Sequence, residues 1–194
     1  MKPPEKIRAL FYKAKMDGKP LDDAINIWTW IIAFCSLKWD RLKYAYSHME
    51  IWIPDEDGNF VVDGKFVGMV FSSTTRGDAS GVRIAPASEV LKHPERWDCI
   101  DLPLVGISKE YWPKVMEWLN KQVGKKYDYK GIAGFFTRKP INNPDRWYCS
   151  EIGMRFLYKA WIVNEFEERI SPRRSASVLA EDYGEPKPLE ATNA

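Results

Sequence analysis

A cysteine and a histidine carry the chemistry that this sequence can be expected to perform. Cys149 lies where residues 146–151 are predicted to begin a helix, and His48 lies on a short apolar strand about 100 residues upstream. A thiolate and an imidazole together make a nucleophile and its base. The only other histidine, His93, stands in a polar segment before a proline, where we expect it to be exposed. The sequence therefore predicts an enzyme that uses Cys149 and His48.

The position of Cys149 favours a reactive thiol. At the first turn of a helix, unpaired backbone N–H groups and the positive end of the helix dipole stabilise an anion. They lower the pKa of a thiol placed there, and they can bind the oxyanion formed when a thiolate attacks a carbonyl. The alternative for any single cysteine is a buried, unreactive thiol.

The strand that carries His48, predicted over residues 44–53, has one apolar face. Strict alternation divides its residues into two sets, with Tyr46, His48, Glu50 and Trp52 on one face and Ser47, Met49, Ile51 and Ile53 on the other. The second set should meet the core. His48 would then project from the opposite face, where a partner can reach it.

A histidine base also needs a residue that orients its second ring nitrogen, and the sequence leaves that residue open. Glu50 shares the face of His48 but stands two positions along the same strand, which suits an electrostatic neighbour better than a fixed orienter. Ser72 and Ser73, at the end of the next strand, are alternatives by position, as is Thr74.

Composition limits the classes of protein that this chain can represent. The 29 basic and 27 acidic residues are spread along the 194-residue chain, which argues against a nucleic-acid partner. Cys35, Cys99 and Cys149 are widely spaced, which argues against a disulfide framework or a zinc cluster and favours a reducing compartment. No signal peptide is predicted, and the longest apolar segment, residues 25–37, is too short for a membrane crossing. We expect a cytoplasmic protein with no cofactor, no metal and no stable membrane insertion.

The order of predicted elements indicates an α+β fold. A strand at residues 7–12 and a helix at 21–35 precede four main strands, at 44–53, 66–74, 82–85 and 97–104. Helices are predicted over 109–124 and 149–166. We expect residues 1–183 to form one domain, with an insert at about 14–43, and residues 184–194 to form a flexible tail.

Three motifs occur along the chain in an order that matches that of a known family. They are the Tyr-Ser-His-Met-Glu strand at 46–50, Gly-Lys-Lys-Tyr-Asp-Tyr at 124–129 and Trp-Tyr-Cys-Ser-Glu at 147–151. Together, over residues 7–165, they resemble the circularly permuted branch of the NlpC-type papain-like cysteine hydrolases, the YiiX-like group. Papain-like enzymes usually place the cysteine before the histidine, whereas the permuted branch reverses them, as this chain does. The resemblance implies an antiparallel sheet or half-barrel packed against helices.

By that resemblance Cys149 is the nucleophile and His48 the base of a cysteine peptidase or amidase. Such an enzyme would cleave an amide or peptide bond, of peptidoglycan type or isopeptide-like, through an acyl-enzyme. The alternatives are a lipid ester hydrolase or acyltransferase at the same site, or a non-catalytic papain-like binding module. The family takes its third polar residue, often an acid, from the strand after the histidine strand. Here that strand ends in Ser72-Ser73-Thr74 without a carboxylate.

Overall fold

The computed structural model describes residues 2–13, 46–75, 80–132, 143, 145–165, 167 and 170–190. The predicted insert at 14–43, with its helix at 21–35 and Cys35, lies outside the described residues. The remaining elements form an α+β protein in which a mostly antiparallel sheet packs against helices, as the sequence predicted.

Six strands form the main sheet, in the order β10-β7-β1-β2-β5-β6, and every neighbouring pair in it is antiparallel. Two short pairs, β3–β4 and the parallel β8–β9, lie outside it. The strands are β1 (Lys6–Lys13), β2 (Tyr46–Ile53), β3 (Val61–Val62), β4 (Lys65–Phe66), β5 (Met69–Thr74), β6 (Gly81–Pro86), β7 (Trp97–Pro103), β8 (Lys126–Tyr127), β9 (Arg146–Trp147) and β10 (Lys187–Pro188). The helices are α1 (Ala87–Val90), a 3₁₀ turn (Pro94–Arg96), α2 (Trp112–Asn120), α3 (Cys149–Lys159) and α4 (Pro172–Tyr183).

Both faces of the sheet are covered. On one face the apolar residues of β1, β2 and β5 pack against α2, α3 and α4 in the larger core cluster. On the other face Leu10, Trp52 and Val70 meet Phe60, α1 and the C-terminal Leu189 in a second cluster. Because β2 lies in the middle of the sheet and is covered on both sides, every residue of it from Tyr46 to Trp52 is buried. No helix in the described part of the chain is long and apolar enough to cross a membrane.

The two faces of β2 differ from the predicted ones because the strand contains a β-bulge. Tyr12 pairs with His48 but the next residue, Lys13, pairs with Tyr46, so Ser47 is the extra residue of a bulge. Tyr46 is thereby moved to the face of Met49 and Ile51, where its ring centroid lies 5.2 Å from that of Phe11. The prediction that Tyr46 shares a face with His48 was wrong, because alternation holds only where a strand is regular.

The helices also differ from their predicted bounds. Residues 121–124 form turns after α2, and α3 ends at Lys159 instead of near residue 166. At that end Trp161 takes a positive φ of 54°, its N–H donates to Tyr158 O, and the N–H of Ile162 donates to Leu157 O. This hydrogen-bond pattern stops a helix and reverses the chain.

The C-terminal segment is more structured than its composition suggested. Ser171 caps α4 by accepting a hydrogen bond from the Arg174 N–H at 3.1 Å, and Pro172 occupies the first turn, where its missing N–H costs nothing. Beyond Tyr183, where we expected a flexible tail, β10 pairs with β7 and Leu189 is buried. Residues 191–194 lie outside the described part.

The start of β6 requires a glycine. Gly81 has a φ of 138°, and a Cβ built on it would lie 2.2 Å from the carbonyl oxygen of Lys125. That approach is needed because Val82 exchanges hydrogen bonds with the 124–125 segment, donating to Lys125 O and accepting from Gly124 N–H. We expect Gly81→Ala to lower the free energy of unfolding by more than about 3 kcal/mol.

Gly64→Ala provides the matched control in urea denaturation. Gly64 also has a positive φ, of 71°, but nothing lies within 4 Å of its Cβ position, so only the backbone term of about 1 kcal/mol applies. Equal losses in the two variants would show that the close approach at Gly81 does not matter.

Candidate active site

Cys149 is the first residue of α3, and its neighbours fix the start of that helix. Tyr148 precedes it in an extended conformation, and its N–H donates to Glu151 Oε2 at 3.4 Å. Ser150 Oγ donates to the carbonyl oxygen of Ile170 at 2.6 Å, and the Ile170 N–H donates to the Tyr148 hydroxyl at 3.2 Å. The first turn of α3 is therefore anchored to the segment that leads into α4.

The strand before the helix is held just as firmly. The carbonyl oxygen of Trp147 accepts hydrogen bonds from Ser73 Oγ at 2.5 Å and from the Asp128 N–H at 3.0 Å. The Trp147 indole N–H donates to Gln122 Oε1 at 3.1 Å. Ser73 thus acts on the backbone two residues before the cysteine.

Cys149 and His48 come together, as the sequence predicted, and their side chains are hydrogen-bonded. The thiol is 2% exposed and His48 is 7% exposed. Burial alone would raise the pKa of the Cys149 thiol, but the imidazolium of His48 and the backbone N–H groups of Met49 and Ser150 outweigh it, so the pKa lies below its ordinary value. Burial alone would likewise lower the pKa of His48, and the thiolate and Glu50 raise it above 6.5. Both pKa shifts favour the thiolate–imidazolium form of the pair over the neutral form.

Among the residues proposed to orient the base, Glu50 reaches it. Glu50 Oε1 lies 3.0 Å from His48 Nε2. Because Nε2 is engaged there, Nδ1 is the ring nitrogen left for the sulfur of Cys149. Two positions along one strand suffice for this contact because both side chains project from the same face of β2.

Ser72 and Ser73 have a different place. Ser72 Oγ donates to the carbonyl oxygen of Met49 at 2.7 Å, and Ser73 Oγ donates to Trp147 O. Both hydroxyls therefore satisfy main-chain carbonyls next to the site and hold its two backbone segments together.

Sequence reasoning did not find Arg83. Its Nη2 donates to Glu50 Oε1 at 2.8 Å, the same oxygen that meets His48. The only sequence signal was its alternating position in the Gly-Val-Arg-Ile strand, which is uninformative until the strand order is known. The site is a chain of alternating charge from Cys149 through His48 and Glu50 to Arg83.

Two further residues of the predicted motifs, Tyr127 and Asp128, lie next to Trp147, two residues before Cys149. Burial and the charge of Cys149 raise the pKa of Tyr127 well above its ordinary value, so its hydroxyl stays protonated beside the nucleophile. Asp128 Oδ1 accepts a hydrogen bond from the Gly131 N–H at 2.9 Å and so caps the turn that follows it. His93 is exposed, with its Nδ1 3.4 Å from Glu95 Oε1. Within the described ranges no group of His, Cys, Asp and Glu side chains is arranged to hold a metal ion.

The ion pair predicts an unusual titration of Cys149. A thiol whose folded pKa is lowered is a thiolate at pH values where the unfolded thiol, with a pKa near 8.5, is still protonated. We expect the ultraviolet absorbance of the thiolate, measured against Cys149→Ser, to persist well below pH 8.5. In His48→Ala the midpoint should rise above that value, because burial then acts without an opposing charge.

Cys99 is an internal comparison for this measurement. It is partly buried on β7, and burial raises the pKa of its thiol. Its absorbance, isolated with Cys99→Ser, should therefore titrate at higher pH than that of Cys149. A Cys149 midpoint equal to that of Cys99 contradicts the ion pair.

The hydrogen bond from Ser73 predicts a loss of stability without a change in the thiol. Ser73→Ala leaves a buried carbonyl with one donor fewer and should lower the free energy of unfolding by about 1–2 kcal/mol in urea denaturation. The thiolate midpoint should stay within a few tenths of a pH unit of the wild type. A large shift of that midpoint would instead place Ser73 in the proton-transfer chain.

Comparisons with known proteins leave the assignment to the geometry of the site. No family model, no curated protein and no solved structure matches this chain.

Proposed function

We propose that the protein is a cysteine hydrolase that cleaves an amide or peptide bond. The observation that carries the proposal is the buried contact between the Cys149 thiol and the His48 imidazole, whose Nε2 lies 3.0 Å from Glu50 Oε1. Taking charged groups out of water costs free energy. A buried cluster of this kind is therefore better explained by a chemical role than by a contribution to stability. Strongly shifted pKa values of neighbouring groups are typical of catalytic sites.

The reaction follows from the positions of these groups. The Cys149 thiolate attacks the carbonyl carbon, and the carbonyl electron pair moves to oxygen, where backbone N–H groups of the first turn of α3 can bind it. His48 donates its Nδ1 proton to the leaving nitrogen as the C–N bond breaks, which leaves a thioester on Cys149. Neutral His48 then takes a proton from water, the hydroxide attacks the thioester, and collapse releases the carboxylic acid and restores the thiolate.

Glu50 acts on His48 in both steps. Its carboxylate accepts from Nε2–H, which fixes the orientation of the ring and stabilises the imidazolium. Glu50 therefore replaces the acid that the permuted papain-like enzymes draw from the next strand. We propose that the fold is a circularly permuted papain-like domain on this basis: a histidine strand precedes a cysteine helix, and the two meet at one end of an antiparallel sheet.

Hydrolysis of defined substrates tests the proposal. A panel of peptide amides, peptidoglycan-derived peptides, isopeptide-linked peptides and lipid esters is offered to the wild type and to Cys149→Ala, His48→Ala and Glu50→Gln. We expect amide cleavage in the wild type, at least about 10³-fold slower turnover without Cys149 or His48, and a smaller loss in Glu50→Gln.

Cys99→Ala is the matched control, because it removes a partly buried thiol outside the site. It should keep wild-type turnover. Cleavage of lipid esters alone would assign the alternative ester hydrolase or acyltransferase activity. Turnover that persists in Cys149→Ala would exclude the mechanism, and binding without turnover of any substrate would favour a non-catalytic module.

A further inference from the structure

Arg83 is a charged side chain that the reaction above does not use. It lies on β6, and its Nη2 donates at 2.8 Å to the oxygen of Glu50 that lies 3.0 Å from His48 Nε2. Glu50 is 2% exposed, whereas the side chain of Arg83 is 25% exposed. One oxygen of a buried carboxylate therefore joins the base to a guanidinium near the surface.

Strand register explains how Arg83 reaches Glu50. Arg83 pairs with Ser72 on β5, and Ile51 pairs with Phe71, so continuing that register by one residue brings Ser72 beside Glu50. Glu50, Ser72 and Arg83 thus form a row across three strands, about 10 Å from first to last at the usual strand spacing. The middle position carries a small side chain whose hydroxyl is turned to Met49 O. The long side chain of Arg83 can therefore extend over Ser72 and reach Glu50.

Arg83 supplies a positive charge beside the buried carboxylate of Glu50. A carboxyl group removed from water takes up a proton unless a cation compensates its charge. With Arg83 present, the cluster of thiolate, imidazolium, carboxylate and guanidinium has no net charge. A neutral Glu50 would support the imidazolium only weakly, and the proton of His48 would return to the thiolate.

We propose that Arg83 is a positioning residue, which keeps Glu50 ionised and directed at His48 and so supports the thiolate without touching the substrate. The inference rests on the proposed function, because it needs a thiolate–imidazolium pair to act on. Arg83 works through Glu50, and its removal should matter only while Glu50 is present.

Among the described residues, the tyrosines and acids near the start of α3 supply no positive charge. Burial raises the pKa of Tyr127 on β8 and of Tyr148 before α3 well above the ordinary value, so both are uncharged at neutral pH. Glu151 accepts from the Tyr148 N–H, and Asp128 accepts from the Gly131 N–H. Both acids are therefore engaged by main-chain N–H groups.

The test is the pH dependence of the Cys149 thiolate absorbance in the full chain, each variant being corrected by the same variant with Cys149→Ser. In Arg83→Gln we expect the midpoint to rise by at least about one pH unit, which is a tenfold smaller thiolate population below the midpoint. Arg83→Lys, which keeps the charge but not the planar fork, should recover most of the shift. In a Glu50→Gln background, Arg83→Gln should add no further shift.

Arg8→Gln is the matched control. Arg8 is a similarly covered arginine of the same sheet, its side chain is 15% exposed, and its Nε lies 2.6 Å from Asp101 Oδ1. It should leave the Cys149 midpoint unchanged although it removes an ion pair. A loss of stability alone would affect both variants alike.

Each outcome of the test supports or overturns the role of Arg83. An Arg83→Gln midpoint that stays or falls, in a protein whose wild-type thiol titrates low and depends on His48, overturns the role of Arg83 and leaves the proposed function intact. A wild-type thiol that titrates near 8.5 overturns both. If Arg83→Gln no longer unfolds cooperatively, Glu50→Gln decides: a rise supports the chain of charges, and an unchanged midpoint overturns it.

Discussion

The site depends on the point at which β2 parts from β5. The two strands pair from Ile51 to Ile53, and before Ile51 no pairing between them is formed. Backbone groups of β2 at this end would lack partners in the core, which is unfavourable. Instead Met49 N–H donates to the sulfur of Cys149, and Met49 O accepts from Ser72 Oγ. The start of α3 thus occupies the gap in the sheet and completes its hydrogen bonding.

This arrangement explains why the nucleophile is so tightly held. The backbone before Cys149 is bonded to Ser73 on β5, and the first turn of α3 is bonded to Ile170 ahead of α4. Further along α3, Gly153 packs on Met49 so closely that a Cβ there would lie 3.2 Å from its sulfur. An added Cβ would require the end of the flexible Met49 side chain to shift by a few tenths of an ångström. The backbone is therefore preorganised before any substrate arrives.

The sequence predicted the parts of the site that depend on local patterns. The thiol at a helix start and the imidazole on a strand could be identified because capping residues and alternation act over a few positions. The bulge at Ser47 could not, since it depends on how β1 and β2 pair. Arg83 could not be identified for a related reason: its contact with Glu50 crosses β5, and the sheet order β2-β5-β6 is a property of the whole fold. Hairpin connections between successive strands allow a row of side chains across β2, β5 and β6 but do not determine which residues form it.

The bulge and the arginine also have a common physical consequence. A bulge increases the local twist of a strand and redirects the side chains next to it, and here His48 follows the extra residue Ser47 directly. The imidazole can then meet Glu50 through one nitrogen and the thiol through the other, although α3 packs on the opposite face of the sheet from Trp52. The histidine connects the two faces at the end of the sheet, and the acid on its own strand can orient it because that acid is fixed from a third strand.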